Sequence, residues 1–311
     1  MHEAGAAGQP HSHNDEPRDD GKPRIAFVGA GHVGTALAVA FARAGWPVTA
    51  VASRDEERRR RFSEQVAGAR GFAEPNAVLD DADLVFLTVP DDAIAATAAH
   101  LSLYSGQALV HTSGALPASV LQPAMAAGTS LGGFHPLVAF ADLDGALAAL
   151  PGATIAVEGD TTLLSLLADL ARSIGSEPVT LPPGTKSAYH AAAAMAAGGA
   201  VALLDVVARI ARESGFDEQT ALSVYLPLTR QALANAESLG IAPSLTGPFL
   251  RGDAGTIADH LDYLRRAAPE VLPVYLALAH RELEITRRRG NLTAEQLSKL
   301  EQQLDEAARR P

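Results

Sequence analysis

The sequence predicts an α/β domain followed by an all-α domain: a doubly wound, mostly parallel sheet, then a helical second half. Three observations carry that prediction. Short apolar runs alternate with helical patterns over residues 24–181, the alternation that builds βαβ units. One run, Leu84-Val85-Phe86-Leu87-Thr88-Val89, is almost continuously apolar, as in a parallel strand covered on both faces. Strand patterns stop at Thr185, after which long helical periodicities remain.

Each element follows in order. Residues 24–28 form a first strand ending at Gly29, residues 35–44 an apolar helix, and residues 47–52 a second strand. Residues 55–67 are a charged helix whose arginine run, 58–61, reads as a solvated face. After the third run come strands at 108–111, 130–134, 154–157 and 178–181, with a helix at 161–173. Helices are then expected over 187–214, 218–238, 255–267, 270–288 and 293–309. The last begins with Thr293 and Gln296 in capping-box spacing. The composition changes at Pro182-Pro183-Gly184. That turn divides a sheet domain (24–182) from a helical domain (183–311), after a leader (1–23) whose polar, Pro- and Gly-rich composition predicts disorder.

Of 311 residues, 47% are apolar and 20% charged, with a formal charge of −11. That acidic balance argues against nucleic acid or an anionic membrane surface as partner. The chain has no Cys, so thiolate chemistry and disulfides are excluded and a reducing, cytoplasmic setting is expected. The leader has no apolar core of the signal-peptide kind. The uncharged run 191–204 is shorter than the roughly 20 residues a bilayer requires. It predicts a buried helix of a soluble protein.

Gly29-Ala30-Gly31-His32-Val33-Gly34 follows a strand and opens a helix, the context that makes GxGxxG a Rossmann dinucleotide fingerprint. Gly29 permits the tight turn, Gly31 lets a pyrophosphate approach the backbone, and Gly34 lets helix and strand pack closely. The second strand ends Val51-Ala52-Ser53-Arg54 with no acid at its tip. A carboxylate would repel a 2′-phosphate, whereas Ser53 and Arg54 can bind one, so NADP(H) is expected over NAD(H). Asp55, one place later, reads as a helix cap. Val89 and Pro90 leave the third strand beside the same crevice, and Asp91 reads as a loop cap or a ribose contact.

Hydride transfer requires a proton donor, and Lys186 and His190 are the candidates. They stand four residues apart on one helix face. Thr185 is the expected N-cap, which sets the Lys186 cation near the positive end of the helix dipole. His111, Ser113 and His135 end strands on the ligand edge and could line the substrate, with Ser113 alternatively stabilising its turn. Arg251, on an interhelical loop, could hold an acidic substrate or pair with Asp253. Neither a carboxylate cluster nor HExxH spacing accompanies the histidines, so no metal site is expected.

These motifs, with Thr88-Val89-Pro90-Asp91, His111-Thr112-Ser113-Gly114, Phe134-His135-Pro136, Tyr189-His190-Ala191-Ala192-Ala193 and Leu245-Thr246-Gly247-Pro248, resemble one group of proteins. They look like the Rossmann-like NADP oxidoreductases that carry a helical domain of unknown function. Those in turn resemble pyrroline-5-carboxylate reductase, the β-hydroxyacid dehydrogenases and the ketopantoate reductases. The resemblance implies NADPH-dependent reduction of a small oxo- or imino-acid and a homodimer through the helical half. Two rival readings stay open: a non-catalytic NADP-binding or sensing module, and an NADP:deazaflavin oxidoreductase. In β-hydroxyacid dehydrogenases a Lys opens a comparable helix as acid/base with Asn one turn on, where this chain has His190. Gly198-Gly199 stand where a small polar pair, often with Asn, is expected.

Overall fold

The computed structural model describes residues 21–126 and 128–309; the expected leader, as far as residue 20, lies outside the described residues. Two compact units divide between Ala193 and Ala194. The first contains an eight-stranded sheet in the order β3-β2-β1-β4-β5-β6-β7-β8. Its strands are β1 (Ile25–Val28), β2 (Val48–Ala52), β3 (Arg70–Phe72), β4 (Leu84–Leu87), β5 (Ala108–His111), β6 (Ser130–Pro136), β7 (Thr154–Glu158) and β8 (Glu177–Thr180). All neighbours pair in parallel except β6 and β7. From β1 the chain runs outward to β2 and β3, then returns to β4 on the other side. The strand order therefore reverses at β1/β4, where open α/β sheets bind ligands.

Burial on both faces explains the apolar strands. Successive side chains point to opposite faces. Phe27, Phe86 and Phe134 pack on one side with Phe41 and Phe62, their ring centroids 5.3–6.4 Å apart. Val28, Val85, Leu87 and Leu109 fill the other. Strand pairing also sets Ala52, Val28, Leu87, His111, Gly133 and Glu158 in one lateral row. Cross-strand partners in such a row share a face of the sheet.

Several boundaries differ from expectation. Helix α1 (His32–Arg43) starts directly after Gly31 rather than at Thr35, because the turn at Gly29 already aims the chain along the helix axis. Strand β4 ends at Leu87, since Thr88 turns its hydroxyl back to donate to the Gly29 carbonyl at 2.7 Å. The short edge strand β3 and helices α3 (Asp91–His100) and α4 (Leu143–Ala149) were not expected from sequence, β3 being largely exposed and three residues long. Helices α2 (Glu56–Gln65) and α5 (Thr161–Ser173) complete the unit, each capped by the Asp before it.

The two compact units divide after Ala193, beyond the Pro182–Gly184 turn where the composition changes. Most of α6 (Lys186–Ala194) therefore belongs with the sheet, to which its first two turns are bonded.

In the second unit a core of Phe249, Ile257, Leu261, Leu264, Leu272, Leu276, Leu283, Leu300 and Leu304 joins α10 (Pro248–Arg251), α11 (Ala254–Ala267), α12 (Leu272–Arg289) and α13 (Ala294–Arg309). Helices α7 (Ala200–Ala211) and α8 (Glu218–Leu239) meet through Ala208, Ala211 and Ala221; α9 (Ile241–Ser244) follows. The capping box forms, Thr293 and Gln296 exchanging bonds of 2.8 and 3.2 Å.

The Ala-rich helix is not buried, which overturns the expectation for residues 191–204. A π-helical turn, Met195–Gly199, links α6 and α7. The run Lys186–Ser214 is 29 residues long with mean hydropathy 1.9 over its best window, of which 6% is buried. Met195 is 77% exposed and Val201 68%. By length and composition this helix could cross a membrane, because the helix extends past the uncharged run.

Candidate functional site

At the switch point the glycines divide by what surrounds them. Gly29 has φ of 114°, and a Cβ there would meet the Thr88 carbonyl oxygen at 2.5 Å. A Cβ on Gly34 would meet the Gly29 carbonyl at 2.5 Å. Both must be glycine for the chain's own packing. Gly31 differs: apart from its chain neighbours, none of the described residues lies within 4 Å of its would-be Cβ, and its φ of −83° suits any residue. The space beside Gly31 is left for something outside the chain.

Gly31 also caps α1 without a side-chain bond, so the first-turn N–H groups face out as an anion site. Ala30, Gly31, His32 and Thr35 line a cavity of about 470 Å³ together with Arg58, Arg61, Gln65 and Leu143. Thus two arginines of the run read as a solvated face border the phosphate loop. They are held by Asp55 (3.3 Å) and Glu57 (2.8 Å). Arg54 is exposed and Ser53 half-buried; neither lines this cavity. The Ser53 hydroxyl accepts from the Asp55 N–H at 3.3 Å, and its carbonyl accepts from Arg59. Asp55 caps α2 as expected, accepting from the Arg58 N–H at 3.1 Å. Val89 packs against the core and Pro90 caps α3.

Farther along the same row, side chains take over. Lys186 Nζ lies 3.1 Å from Glu158 Oε2, its side chain 13% exposed. The Tyr189 hydroxyl is 3.1 Å from His135 Nδ1, and either group can donate in that bond. The His135 and His190 rings stand edge to face, centroids 5.6 Å apart. A Cβ on Gly114 would collide with His135 Nε2 and His190 Nδ1; the His190 nitrogen is buried without a hydrogen bond among the described residues.

Burial and charge set the protonation of this group. Burial, then the neighbouring His190 and Lys186, pushes His135 down to about 4. Burial, helped by Lys186, does the same to His111, to about 4. Both imidazoles are therefore neutral at neutral pH. Burial raises Tyr189 to about 12, keeping its proton in place. The Lys186 ammonium is pulled below its ordinary value by burial and partly restored by Glu158.

Three expected substrate contacts have partners within the chain. His111 is wholly buried, and its Nδ1 accepts from the Ser113 N–H at 3.1 Å. The Ser113 hydroxyl donates to Asp91 Oδ2 at 2.7 Å and accepts from the Ala115 and Leu116 N–H groups, which commits it to the turn. Arg251, in the second unit, pairs with Asp253 at 3.3 Å. Thr185 donates to the Pro182 carbonyl at 2.7 Å instead of capping α6 with its hydroxyl. Among the described residues no group of three or more His, Asp or Glu is placed to hold a metal ion.

Glu158 was missed: it is one acid at the end of a strand pattern, with nothing in its neighbours to mark it. Tyr189 had a signal, standing three residues after Lys186 and hence on its face.

Comparison with known proteins fits this architecture. Residues 10–136 match the Rossmann-like domain, and residues 153–282 match the domain of unknown function DUF2520. The chain thus joins a Rossmann-like domain to that helical domain, as the resemblance implied. No curated protein matches the sequence. Among solved structures, a Bacteroides fragilis protein provisionally assigned as an NADP oxidoreductase is 22% identical, with a TM-score of 0.68 over 86% of this chain and 97% of that one. A Thermotoga maritima protein is 26% identical, with a TM-score of 0.67 over 85% and 99%. The pyrroline carboxylate reductase of Plasmodium falciparum, solved with NADP bound, is 11% identical, with a TM-score of 0.59 over 86% and 97%. Their fold is shared by this chain.

Proposed function

We propose that the protein is an NADPH-dependent oxidoreductase that reduces a small oxo- or imino-acid, of the ketopantoate or pyrroline-5-carboxylate kind. One observation carries this reading: a single sheet edge holds both an anion-ready glycine loop and a held ammonium. The loop fits the cofactor because the space at Gly31 is open, α1 has no side-chain cap, and Arg58 and Arg61 border the cavity. The α1 N–H groups take the pyrophosphate, and Arg58 and Arg61, with Arg54 at the strand tip, offer charge-assisted bonds to the 2′-phosphate. When bound, the cofactor supplies the hydride. Lys186 holds a proton at Nζ for the substrate heteroatom, and Tyr189 and His135 orient what enters. NADP in the Plasmodium relative supports the choice of cofactor.

Titration with NADPH and NADH tests this, followed by a screen of oxo- and imino-acids for NADPH oxidation. We expect NADPH to bind at least tenfold more tightly than NADH, and Lys186→Ala to slow single-turnover reduction a hundredfold or more. Equal affinities would remove the NADP assignment, and an unchanged Lys186→Ala rate would remove the proton donor.

The same reading includes a homodimer through the helical half. Met195, Val201, Leu228 and Leu233 carry exposed apolar side chains that a second copy would cover. Sedimentation should then give a dimer, and Val201→Glu a monomer.

A further inference from the structure

We propose that Glu158 is the positioning residue of this site: its carboxylate holds the Lys186 ammonium at one point on the sheet edge and keeps it charged there. The purpose of that arrangement rests on the proposed reduction; the arrangement itself rests on geometry.

Glu158 and Gly133 face each other across the antiparallel β6/β7 pair. A Cβ on Gly133 would come within 3.2 Å of Lys186 Nζ and 3.5 Å of Glu158 Oε2, so the glycine leaves the room in which the two side chains meet. The carboxylate is fixed at both oxygens. Oε1 accepts from the Ala118 N–H at 3.0 Å, and Oε2 from Lys186 Nζ at 3.1 Å. Lys186 is the more deeply buried partner, at 13% exposure against 42%. A buried cation without a counter-charge would give up its proton, and Glu158 is the carboxylate bonded to it.

The other titratable groups around Lys186 are Asp91 on α3, His111 on β5, His135 on β6, and Tyr189 and His190 on α6 itself; Tyr189, pushed up to about 12 by burial, keeps its proton. Asp91 is engaged by the Ser113 hydroxyl. His111 and His135 are neutral at neutral pH, both pushed down to about 4 by burial. Glu158, bonded to the ammonium, is the larger offset to the desolvation of Lys186, and the Asp91 charge adds to it.

The chain contains three lysines, Lys22, Lys186 and Lys299, so each ε-ammonium can be followed in protein carrying 15N-lysine. We expect Glu158→Gln to lower the Lys186 titration midpoint by about one pH unit or more, a tenfold loss of proton affinity. Lys22 and Lys299 should not move, and thermal stability should change little, because glutamine still accepts from Ala118. An unmoved Lys186 midpoint in folded Glu158→Gln protein overturns the proposal. Should that variant not fold, Glu158→Asp, one methylene short of Nζ, is expected to move the midpoint the same way by less, and no movement again overturns it. The titration needs neither cofactor nor turnover. A protein that fails to bind NADPH would sink the reductase reading and leave the Lys186 result standing. If reduction is observed, the basic limb of its pH profile should fall with the midpoint in Glu158→Gln, which a merely structural role would not cause.

Discussion

The two ends of the sheet edge are built from different material. At the Gly29–Gly34 end the working groups are main-chain N–H donors and missing side chains, drawn from six consecutive residues. At the Lys186 end they are side chains brought together from β6, β7 and α6. A backbone site is insensitive to pH but intolerant of added atoms. A side-chain site accepts many substitutions without unfolding, yet its chemistry follows the protonation of a few groups.

The largest effect is expected at Gly29. Alanine there must adopt positive φ and push against the Thr88 carbonyl, a combined cost of about 3–5 kcal/mol. Denaturant unfolding of Gly29→Ala at parental stability would show that the loop is not fixed by its own packing.

Acid should loosen the other end. His111 is pushed down to about 4 against about 6.5 when unfolded. Between those values the unfolded chain binds the extra proton. The stabilisation is therefore complete above about pH 6.5 and lost as pH falls toward 4, at most about 3 kcal/mol. Unfolding curves across that window should be less pH-dependent in His111→Asn by close to one proton, and identical slopes would contradict the burial assigned to it.

Gly31→Ala should behave in the opposite way to Gly29→Ala. Its Cβ meets nothing among the described residues, so stability should stay within about 0.5 kcal/mol, while NADPH affinity falls at least tenfold, about 1.4 kcal/mol. Unchanged binding would mean the open space is not the cofactor's.

The smallest effects fall on the arginines. Arg58→Ala and Arg61→Ala should each weaken NADPH by about 1 kcal/mol and leave NADH nearly untouched in isothermal titration. Arg54→Ala, away from the cavity, should do less.

The same contrast explains what could be read without coordinates. The strand–loop–helix at Gly29 is contiguous, so spacing alone disclosed it. Lys186 and His190 were legible because helical periodicity sets them on one face. Glu158 was not, since its meaning depends on the β6/β7 register that opposes it to Gly133. Arg58 and Arg61 sit in a charge run that resembles any solvated helix until the cavity beside Gly31 is seen. Hydropathy identified the Ala-rich helix but could not tell what covers it, because an apolar face packs equally well on its own chain or on another.

The lateral row from Ala52 to Glu158 makes the sheet a ruler. Every step along it is one hydrogen-bonded strand spacing, about 4.8 Å, so the separation between nucleotide grip and ammonium is set by counting strands. Crossover loops can lengthen or shorten over evolution without altering that span. A single-residue slip in β6 would turn His135 and Gly133 to the opposite faces at one stroke.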